Sequence, residues 1–386
     1  MPDPEPEVPV EEPVSAELIV RAKQDLMPAL EKHGITAWSA TEAQLQSALA
    51  KHLTVAFLGS ASAGKDSAIR ALFDIDFGDV SPIPGSTDRI KVAPLDELGQ
   101  VLIVNAPGFG DIRKDVDKKA RDAMDSLDII VYVVNCEGGA TIDEKNDLDL
   151  IRAHGKPVLV CLNKIDLIRA HQREDFIRAT LAQLGIDHKQ SVVCAFDPLP
   201  QLSKEPIGVP YVIDWISKQL EASGKELLFA KHLRNKVQAC EPLIQAASRH
   251  ASIAGAIPIP GADLAAVTAV QVKMIRDIAV VFGVPVDKDV AMFIIGEVMA
   301  GSMRGFVRWG MQALKAAGWI PGTQLAEGAI LAISAVVAGA TTYGVGKAAV
   351  AYFQSGKKLD GNDLRLLFNA AAFDWKRRNA AGAATP

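Results

Sequence analysis

Between residues 53 and 220 the chain alternates six short apolar runs with segments of helix length. The apolar runs are LTVAFLG, RIKVAPL, QVLIVNA, DIIVYVVN, KPVLVCLN and SVVCAF, and periodic stretches such as 143–154 and 172–183 separate most of them. Continuous apolar strands that alternate with helices are typical of a mainly parallel sheet covered by helices on both faces. The pattern therefore predicts an α/β domain with a mainly parallel six-stranded sheet.

The sequence on either side of this alternation predicts further parts of the chain. The first residues alternate Pro with Glu and Asp, which predicts disorder because they bury little apolar area. Two helices are expected next, the second beginning at Thr41. After about residue 224 no strand pattern remains, and apolar helices are expected. The predicted parts are a tail (1–14), N-terminal helices (15–52), the α/β domain (53–223) and a helical domain (224–386), the two helical parts packing together.

Composition narrows the class of protein. Apolar residues make up 49% of the chain, as in globular proteins. The four cysteines have no C-x-x-C spacing, and three lie in strand-like apolar runs, so we expect buried thiols in a reducing compartment. The start has no basic segment followed by an apolar one, so we expect no signal peptide and a cytoplasmic location.

The segment GSASAGKDS, from Gly59 to Ser67, matches the phosphate-binding pattern GxxxxGK[ST] up to its last position. It follows a predicted strand and opens a predicted helix, residues 65–73. In that setting backbone N–H groups surround a phosphate at the positive end of the helix. The predicted nucleotide-binding residues here are Gly59, Ser60, Ala61, Ser62, Ala63, Gly64, Lys65, Asp66 and Ser67.

A second motif, NKxD, follows the fifth predicted strand as Asn163, Lys164 and Asp166. The Asp166 carboxylate can accept both N–H groups on one edge of guanine, and adenine lacks that pair of donors. We expect Asn163 to tie loops together and the stem of Lys164 to cover the base. The motif therefore favours GTP or GDP over adenine nucleotides.

Three further positions fall in the order that a GTPase requires. Gly108 ends the run NAPG after the third strand, and its N–H is expected to sense the γ-phosphate. Thr87 lies between the first helix and the second strand, where a switch threonine closes over Mg²⁺ and γ-phosphate. Cys194 and Ala195 stand where a Ser-Ala pair usually offers a backbone N–H to the guanine O6.

In these motifs, residues 53–223 resemble the P-loop GTPases of the Era-like and immunity-related kind, which are dynamin-like. AGKDSAIRALF followed by NAPGFGD is especially similar to bacterial relatives of immunity-related GTPases, and AIPIPGADLAAVTAVQVKMIRDIAVVFG resembles the uncharacterised apolar domain that follows such GTPase domains in bacteria. The resemblance implies GTP or GDP and Mg²⁺ as cofactors. It assigns catalytic roles to Lys65, Thr87 and Gly108.

Three positions depart from the GTPase pattern. Asp66 replaces the Mg²⁺-binding Ser or Thr, Asn105 replaces the Asp of DxxG, and Phe109 replaces a water-orienting Gln. One carboxylate is lost at Asn105 and one is gained at Asp66, so two interpretations stay open. Either the metal site is preserved, with Asp66, Thr87 and Asn105 around the metal, or Asp66 repels the phosphates. Because Phe109 has no group to orient the attacking water, we expect slow intrinsic GTP hydrolysis, helped by dimerisation or by a partner that supplies positive charge.

Residues 329–346 carry no charged side chain. This length is at the lower limit for a membrane span, so three interpretations stay open: a buried helix, a reversibly inserting or amphipathic anchor, and a permanent span. From Lys225 onward, 18 Lys and Arg residues stand against 11 Asp and Glu, an excess of +7 that suits an anionic membrane surface. We expect no nucleic acid partner, and peripheral binding at the inner face of the cytoplasmic membrane is compatible with this charge.

Two functions are consistent with the sequence. One is a GTPase switch, acting as a nucleotide-dependent homodimer, whose helical domain binds or remodels membrane. The other is a non-hydrolysing GTP-binding scaffold, in which the altered metal site stops the switch and the helical domain binds proteins.

Overall fold

The computed structural model of the chain describes residues 16–76, 90–106, 125–256, 262–298 and 327–382. These residues divide into two compact units. The first takes in Ala43–Leu243 and Ala279–Val284, and the second takes in the described parts of Met1–Glu42, Ile244–Ile278 and Pro285–Pro386. The tail over 1–14, predicted to be disordered, lies outside the described residues.

The first unit is built on a six-stranded sheet with the order β2-β3-β1-β4-β5-β6. The strands are β1 (Leu53–Leu58), β2 (Lys91–Pro94), β3 (Val101–Asn105), β4 (Ile129–Asn135), β5 (Val158–Asn163) and β6 (Ser191–Val193). All neighbours pair in parallel except β2 and β3, which are antiparallel. The predicted α/β fold with a mainly parallel six-stranded sheet is confirmed.

The central strands are buried on both faces, as their unbroken apolar sequences predict. Every residue of β5 is buried, and so is every residue of β4 but the last. Helices must cover both sides of such strands, because otherwise the apolar side chains on one face would meet water. The described α-helices that lie wholly in this unit are α2 (Lys65–Phe73), α3 (Ile142–Ala153), α4 (Arg173–Leu184), α5 (Val209–Glu221) and α6 (Glu226–His232).

The topology brings the predicted motifs to one edge of the sheet. Strands β1, β3, β4 and β5 run in the same direction, so their carboxyl ends meet there. The register places Asn105 opposite Phe57 and Asn163 opposite Asn135. In open α/β sheets ligands bind at this edge, where the strand order reverses on either side of the first strand.

The second unit is helical, and its described residues contain no strand. Its main helices include most of α1 (Ala16–Leu49), α7 (Lys236–Gly255) and α8 (Ala262–Phe282), and all of α9 (Glu327–Gln354) and α10 (Gly361–Gly382); residues 288–298 are also helical. All four cysteines of the chain are free and buried, so the prediction of buried thiols without a disulfide is confirmed.

The N-terminal region forms one helix, α1, where the sequence predicted two. Gly34 lies in the middle of α1 and would normally weaken a helix. A Cβ there would lie 2.1 Å from the sulfur of Met292, so the glycine allows close packing against the helix at 288–298. Tertiary packing thus keeps the helix continuous through a residue that locally disfavours it.

Arg276 of α8 connects this helix to α1. Its guanidinium donates to the Trp38 carbonyl at 2.8 Å and to Thr41 Oγ1 at 2.9 Å, and it also pairs with Glu42. The same group lies 4.2 Å from the centroid of the Trp38 ring, a cation–π distance. A buried arginine therefore fixes α1 in place through four interactions.

Helix α9 contains the uncharged segment and packs in the interior of the second unit. Residues Ile333–Gln354 have the length and mean hydropathy (1.2) of a membrane-crossing helix, but 67% of the most apolar window is buried inside the protein. A Cβ at Gly344 would lie 2.5 Å from the Phe368 ring of α10, and one at Gly346 would lie 2.8 Å from Ile244 of α7. The small residues of α9 thus serve contacts between helices, and residues 338–346 of the segment are buried, whereas residues 333–337 are half-buried.

Candidate nucleotide-binding site

The loop between β1 and α2 has a backbone that glycine makes possible. Gly59 and Gly64 have φ angles of 140° and 97°, and Ser62 lies at 62°. A Cβ at Gly59 would stand 2.2 Å from the Val133 carbonyl oxygen of β4. Gly64 is the N-cap of α2 and has no side chain to bond the first N–H groups of that helix. The loop therefore presents the N-terminal end of α2 toward the edge of the sheet, as a phosphate-binding loop requires.

Lys65 begins α2, and its side chain folds back over the loop. Its Nζ donates to the carbonyl oxygens of Gly59, at 3.0 Å, and Ser60, at 2.9 Å. This places one positive charge at the loop. The neighbouring loop residues Ala61 and Ser62 are exposed, whereas Ala63 is fully buried.

Asp66 and Asn105, the two exchanged residues, are direct partners. Asn105 ends β3 and is 9% exposed, and its Nδ2 donates to Asp66 Oδ1 at 2.5 Å. The amide nitrogen thus occupies one carboxylate oxygen of Asp66. A second carboxylate at position 105 would repel Asp66, so the two residues are complementary as they stand.

A pocket of about 190 Å³ opens beside the loop. Six of the predicted residues line it: Gly64, Ser67, Asn163, Lys164, Asp166 and Ala195. Leu167, Asp197 and Leu199 complete the lining, and the sequence had not indicated them. The phosphate-loop helix and the NKxD motif therefore face one cavity, although 100 residues of sequence separate them.

Asn163 joins the two loops through both ends of its amide. Its Nδ2 donates to the Ala63 carbonyl at 2.8 Å, and its Oδ1 accepts the Phe196 N–H at 3.1 Å. The side chain is 2% exposed. Gly64 must lack a side chain here, since a Cβ would lie 2.2 Å from Asn163 Nδ2.

The two charged residues of NKxD are also held in place. Asp166 is 8% exposed, and its Oδ2 accepts the Leu199 N–H at 3.2 Å. Lys164 has a φ of 62° and pairs with Glu137 at 3.0 Å. This hydrogen bond to Lys164 lowers the pKa of the Glu137 carboxyl. The carboxylate of Asp166 is therefore oriented before any ligand binds.

The backbone N–H groups of Cys194 and Ala195, predicted to lie near the guanine O6, are bonded within the protein in this structure. The Cys194 N–H donates to the Leu162 carbonyl at 2.8 Å, and the Ala195 N–H donates to the Ile207 carbonyl at 3.1 Å. Neither is free for a base. The Cys194 side chain is fully buried, and burial raises the pKa of its thiol. Cys194 is a packing residue, and Ala195 lines the pocket.

Glu144 is a residue of the site that sequence reasoning missed. Its side chain accepts the Ser60 hydroxyl at 3.1 Å and the Thr141 N–H at 2.9 Å, and it is 4% exposed. The Thr141 hydroxyl accepts the Glu144 N–H in return, which completes a capping box at the start of α3. The spacing T-x-x-E before an apolar helix was a readable signal for the cap, but nothing in the sequence connected it with Ser60.

Thr87, Gly108 and Phe109 lie outside the described residues, so their predicted roles stay predictions. Among the residues that the structure does describe, no three His, Cys, Asp or Glu side chains form a ready-made metal cluster. Asp66 and Asn105 nevertheless offer carboxylate and amide oxygens, the hard ligands that Mg²⁺ prefers. These residues therefore fit a Mg²⁺ ion that nucleotide phosphates would help to hold.

Comparisons with known proteins match two parts of the chain to families. Residues 54–164 match the family described as "50S ribosome-binding GTPase", and residues 221–369 match the family "Domain of unknown function (DUF697)". GTPase Der of Pseudothermotoga lettingae is 27% identical over 123 residues, which are 28% of this chain and 27% of that protein. GTPase Era of Borrelia turicatae is 27% identical over 128 residues, 32% of this chain and 44% of that protein.

A solved structure, that of a probable GTP-binding protein engB, aligns with 44% of this chain and 99% of its own, at 18% identity and a TM-score of 0.35. The matched region is less than half the length of the Der and Era relatives.

Proposed function

We propose that this chain, a P-loop GTPase of the Era and Der type with a DUF697 region after its GTPase domain, acts as a nucleotide switch with slow GTP hydrolysis. One observation carries the proposal: Asn163 bonds the phosphate loop and the Phe196 backbone at once, so the phosphate and base subsites form one site. The residues of both subsites line the same pocket.

Selectivity for guanine follows from Asp166, whose carboxylate lies in the pocket and can accept two N–H groups of the base. We expect labelled GDP to bind and labelled ADP to bind far more weakly. Asp166→Ala removes the acceptor, so GDP should lose about 10- to 100-fold in affinity. Asp175→Asn, an exposed charge change on α4, is the matched control and should bind like wild type. Equal affinity of the wild type for GDP and ADP contradicts the proposal.

The rate of hydrolysis is tested by single-turnover experiments over a range of protein concentrations. Phe109 supplies no group to orient water, so we expect a slow rate that rises with protein concentration if a second copy completes the site. A fast rate that is independent of concentration contradicts both slow intrinsic hydrolysis and the homodimer.

A second candidate, a non-hydrolysing GTP-binding scaffold, is favoured by one observation. Asp66 stands at the metal position with one oxygen already bonded to Asn105. GTP that stays intact for hours on the protein with Mg²⁺ supports the scaffold, and turnover within that time supports the switch.

We also propose that the helical region contacts an anionic membrane surface through α10. Leu366 and Phe373 lie two turns apart and are 71% and 66% exposed. Lys376 and Arg377 lie three and four residues beyond Phe373, and Arg377 pairs with Asp374 at 3.2 Å. An apolar face beside basic residues suits peripheral binding, so we expect a location at the inner face of the cytoplasmic membrane.

Vesicle flotation tests the membrane proposal. Wild type should float with anionic vesicles and less with neutral ones. The double variant Leu366→Ser/Phe373→Ser should stay at the bottom of the gradient, and Asn369→Ser, on the exposed side of the same helix, should float like wild type. If the wild type stays at the bottom of the gradient with both anionic and neutral vesicles, membrane binding is contradicted.

A further inference from the structure

Glu144, in the first turn of α3, is bonded to the phosphate loop. Its Oε1 accepts the Ser60 hydroxyl at 3.1 Å, and its Oε2 accepts the Thr141 N–H at 2.9 Å. The side chain is buried, so these bonds are shielded from water. Among the described residues, those that line the nucleotide pocket include neither Ser60 nor Glu144. Glu144 therefore acts on the shape of the loop and not directly on a ligand.

The phosphate loop has a conformation that needs support from its surroundings. Ser62 has a φ of 62°, a left-handed conformation that is uncommon for a residue with a Cβ. Two supports bond the loop backbone: Lys65 Nζ donates to the Ser60 carbonyl at 2.9 Å, and Asn163 Nδ2 donates to the Ala63 carbonyl at 2.8 Å. The hydrogen bond to α3 is a further support, and it is made through a side chain of the loop.

We propose that Glu144 is a positioning residue for nucleotide binding: through the Ser60 hydroxyl it keeps the phosphate loop in its phosphate-accepting shape before a nucleotide arrives. When only a fraction of the molecules has a competent loop, the apparent affinity falls by that fraction. The association rate falls with it, whereas the dissociation rate does not change, because bound phosphates themselves hold the loop in place. This inference rests on the proposed nucleotide site and adds to it a residue outside the pocket.

The test measures the association and dissociation rates of labelled GDP by stopped flow for wild type, Ser60→Ala and Glu144→Ala. Ser60→Ala removes the hydroxyl and leaves the capping box of α3 in place, so it isolates the bond to the loop. Both variants should associate about tenfold more slowly, with dissociation rates within about twofold of wild type. The double variant should associate no more slowly than either single variant, because both changes remove the same bond.

Two further variants separate this role from the capping of α3. Glu144→Gln should associate at nearly the wild-type rate, since its amide oxygen is expected to accept the Thr141 N–H while its NH₂ group donates to the Ser60 hydroxyl oxygen, which accepts as well as donates. Thr141→Ala removes the side-chain cap of α3, a change that destabilises helices. It should lower the midpoint of urea unfolding without slowing the association of GDP.

Each outcome has one meaning. If Glu144→Ala lowers the unfolding midpoint but leaves the association rate unchanged, Glu144 is merely structural, and this inference is overturned while the proposed function stands. The same holds if Ser60→Ala associates like wild type, if Thr141→Ala slows association as much as Glu144→Ala, or if only dissociation becomes faster. Ser60→Ala alone decides the question if Glu144→Ala does not fold. If wild type binds no guanine nucleotide, the proposed function and the inference fall together.

Discussion

Replacing Asn163 by Ala tests the connection on which the site depends. The change removes the donor to the Ala63 carbonyl and the acceptor for the Phe196 N–H, bonds of 2.8 and 3.1 Å. Both groups are in the interior, since Ala63 and Phe196 are 0% and 3% exposed. Asn163→Ala therefore leaves one buried carbonyl and one buried N–H without this partner.

The expected loss of stability follows from these two groups. A buried polar group left without a partner costs about 1–3 kcal/mol, so two give about 2–6 kcal/mol. The neighbouring pocket can admit water to one or both groups, which brings the expected value to about 2–4 kcal/mol. GDP should also bind about 10- to 100-fold more weakly, because the phosphate loop loses its tie to the base subsite.

Hydrogen exchange of peptides from β5 and α2, read by mass spectrometry in the full chain, reports the opening free energy of this unit. Asn135 is the matched control, since it stands opposite Asn163 in the register, is half-buried, and accepts the local Glu137 N–H through its side chain at 3.0 Å. We expect Asn135→Ala to cost less than about 1 kcal/mol. The reasoning is refuted if the two variants lose equal stability and Asn163→Ala binds GDP like wild type.

Three further predictions concern other parts of the molecule. Arg276→Met removes a buried guanidinium with several partners and should destabilise the helical unit by about 2–4 kcal/mol in urea unfolding, and an unchanged midpoint contradicts this. Gly344→Leu forces a side chain into the Phe368 ring and should cost about 1–3 kcal/mol or more by the same measurement. Burial lowers the pKa of His232, which lies 3.4 Å from Asp96, so the unfolded chain binds the proton more readily and stability falls as the pH drops below about 6.5. His232→Gln should make the plot of unfolding free energy against pH shallower between about pH 6.5 and 5, and an unchanged slope argues against a buried neutral imidazole.

The fold of the first unit was predictable because its strands are encoded locally. The run VLVCL, residues 158–162, is apolar at every position, as expected of a strand covered on both faces, and β5 is buried throughout. The helix at 65–73 was predicted with its observed bounds. The single helix α1 was not predictable, because Gly34 locally disfavours a helix and its packing against Met292, more than 250 residues away, leaves no local sequence signal.

The candidate site was predictable as a set of motifs but not as a set of contacts. The phosphate-binding pattern and NKxD identified the loops that line the pocket. Leu199 carries no sequence signal, since it acts through its backbone N–H on Asp166. The hydrogen bond from the Ala195 N–H to the Ile207 carbonyl likewise carries no sequence signal, because it joins two backbone groups.

The sequence by itself determined the α/β sheet, the order of the GTPase motifs and the exchange of Asp66 with Asn105, since each follows from residue type and spacing along the chain. Tertiary structure alone decided which groups meet: the Asn105 amide on the Asp66 carboxylate, and Asn163 between two loops. The physical reason is that periodicity and backbone propensity act over a few residues, whereas a hydrogen bond across 39 or 100 residues forms only after the sheet has brought the strand ends together.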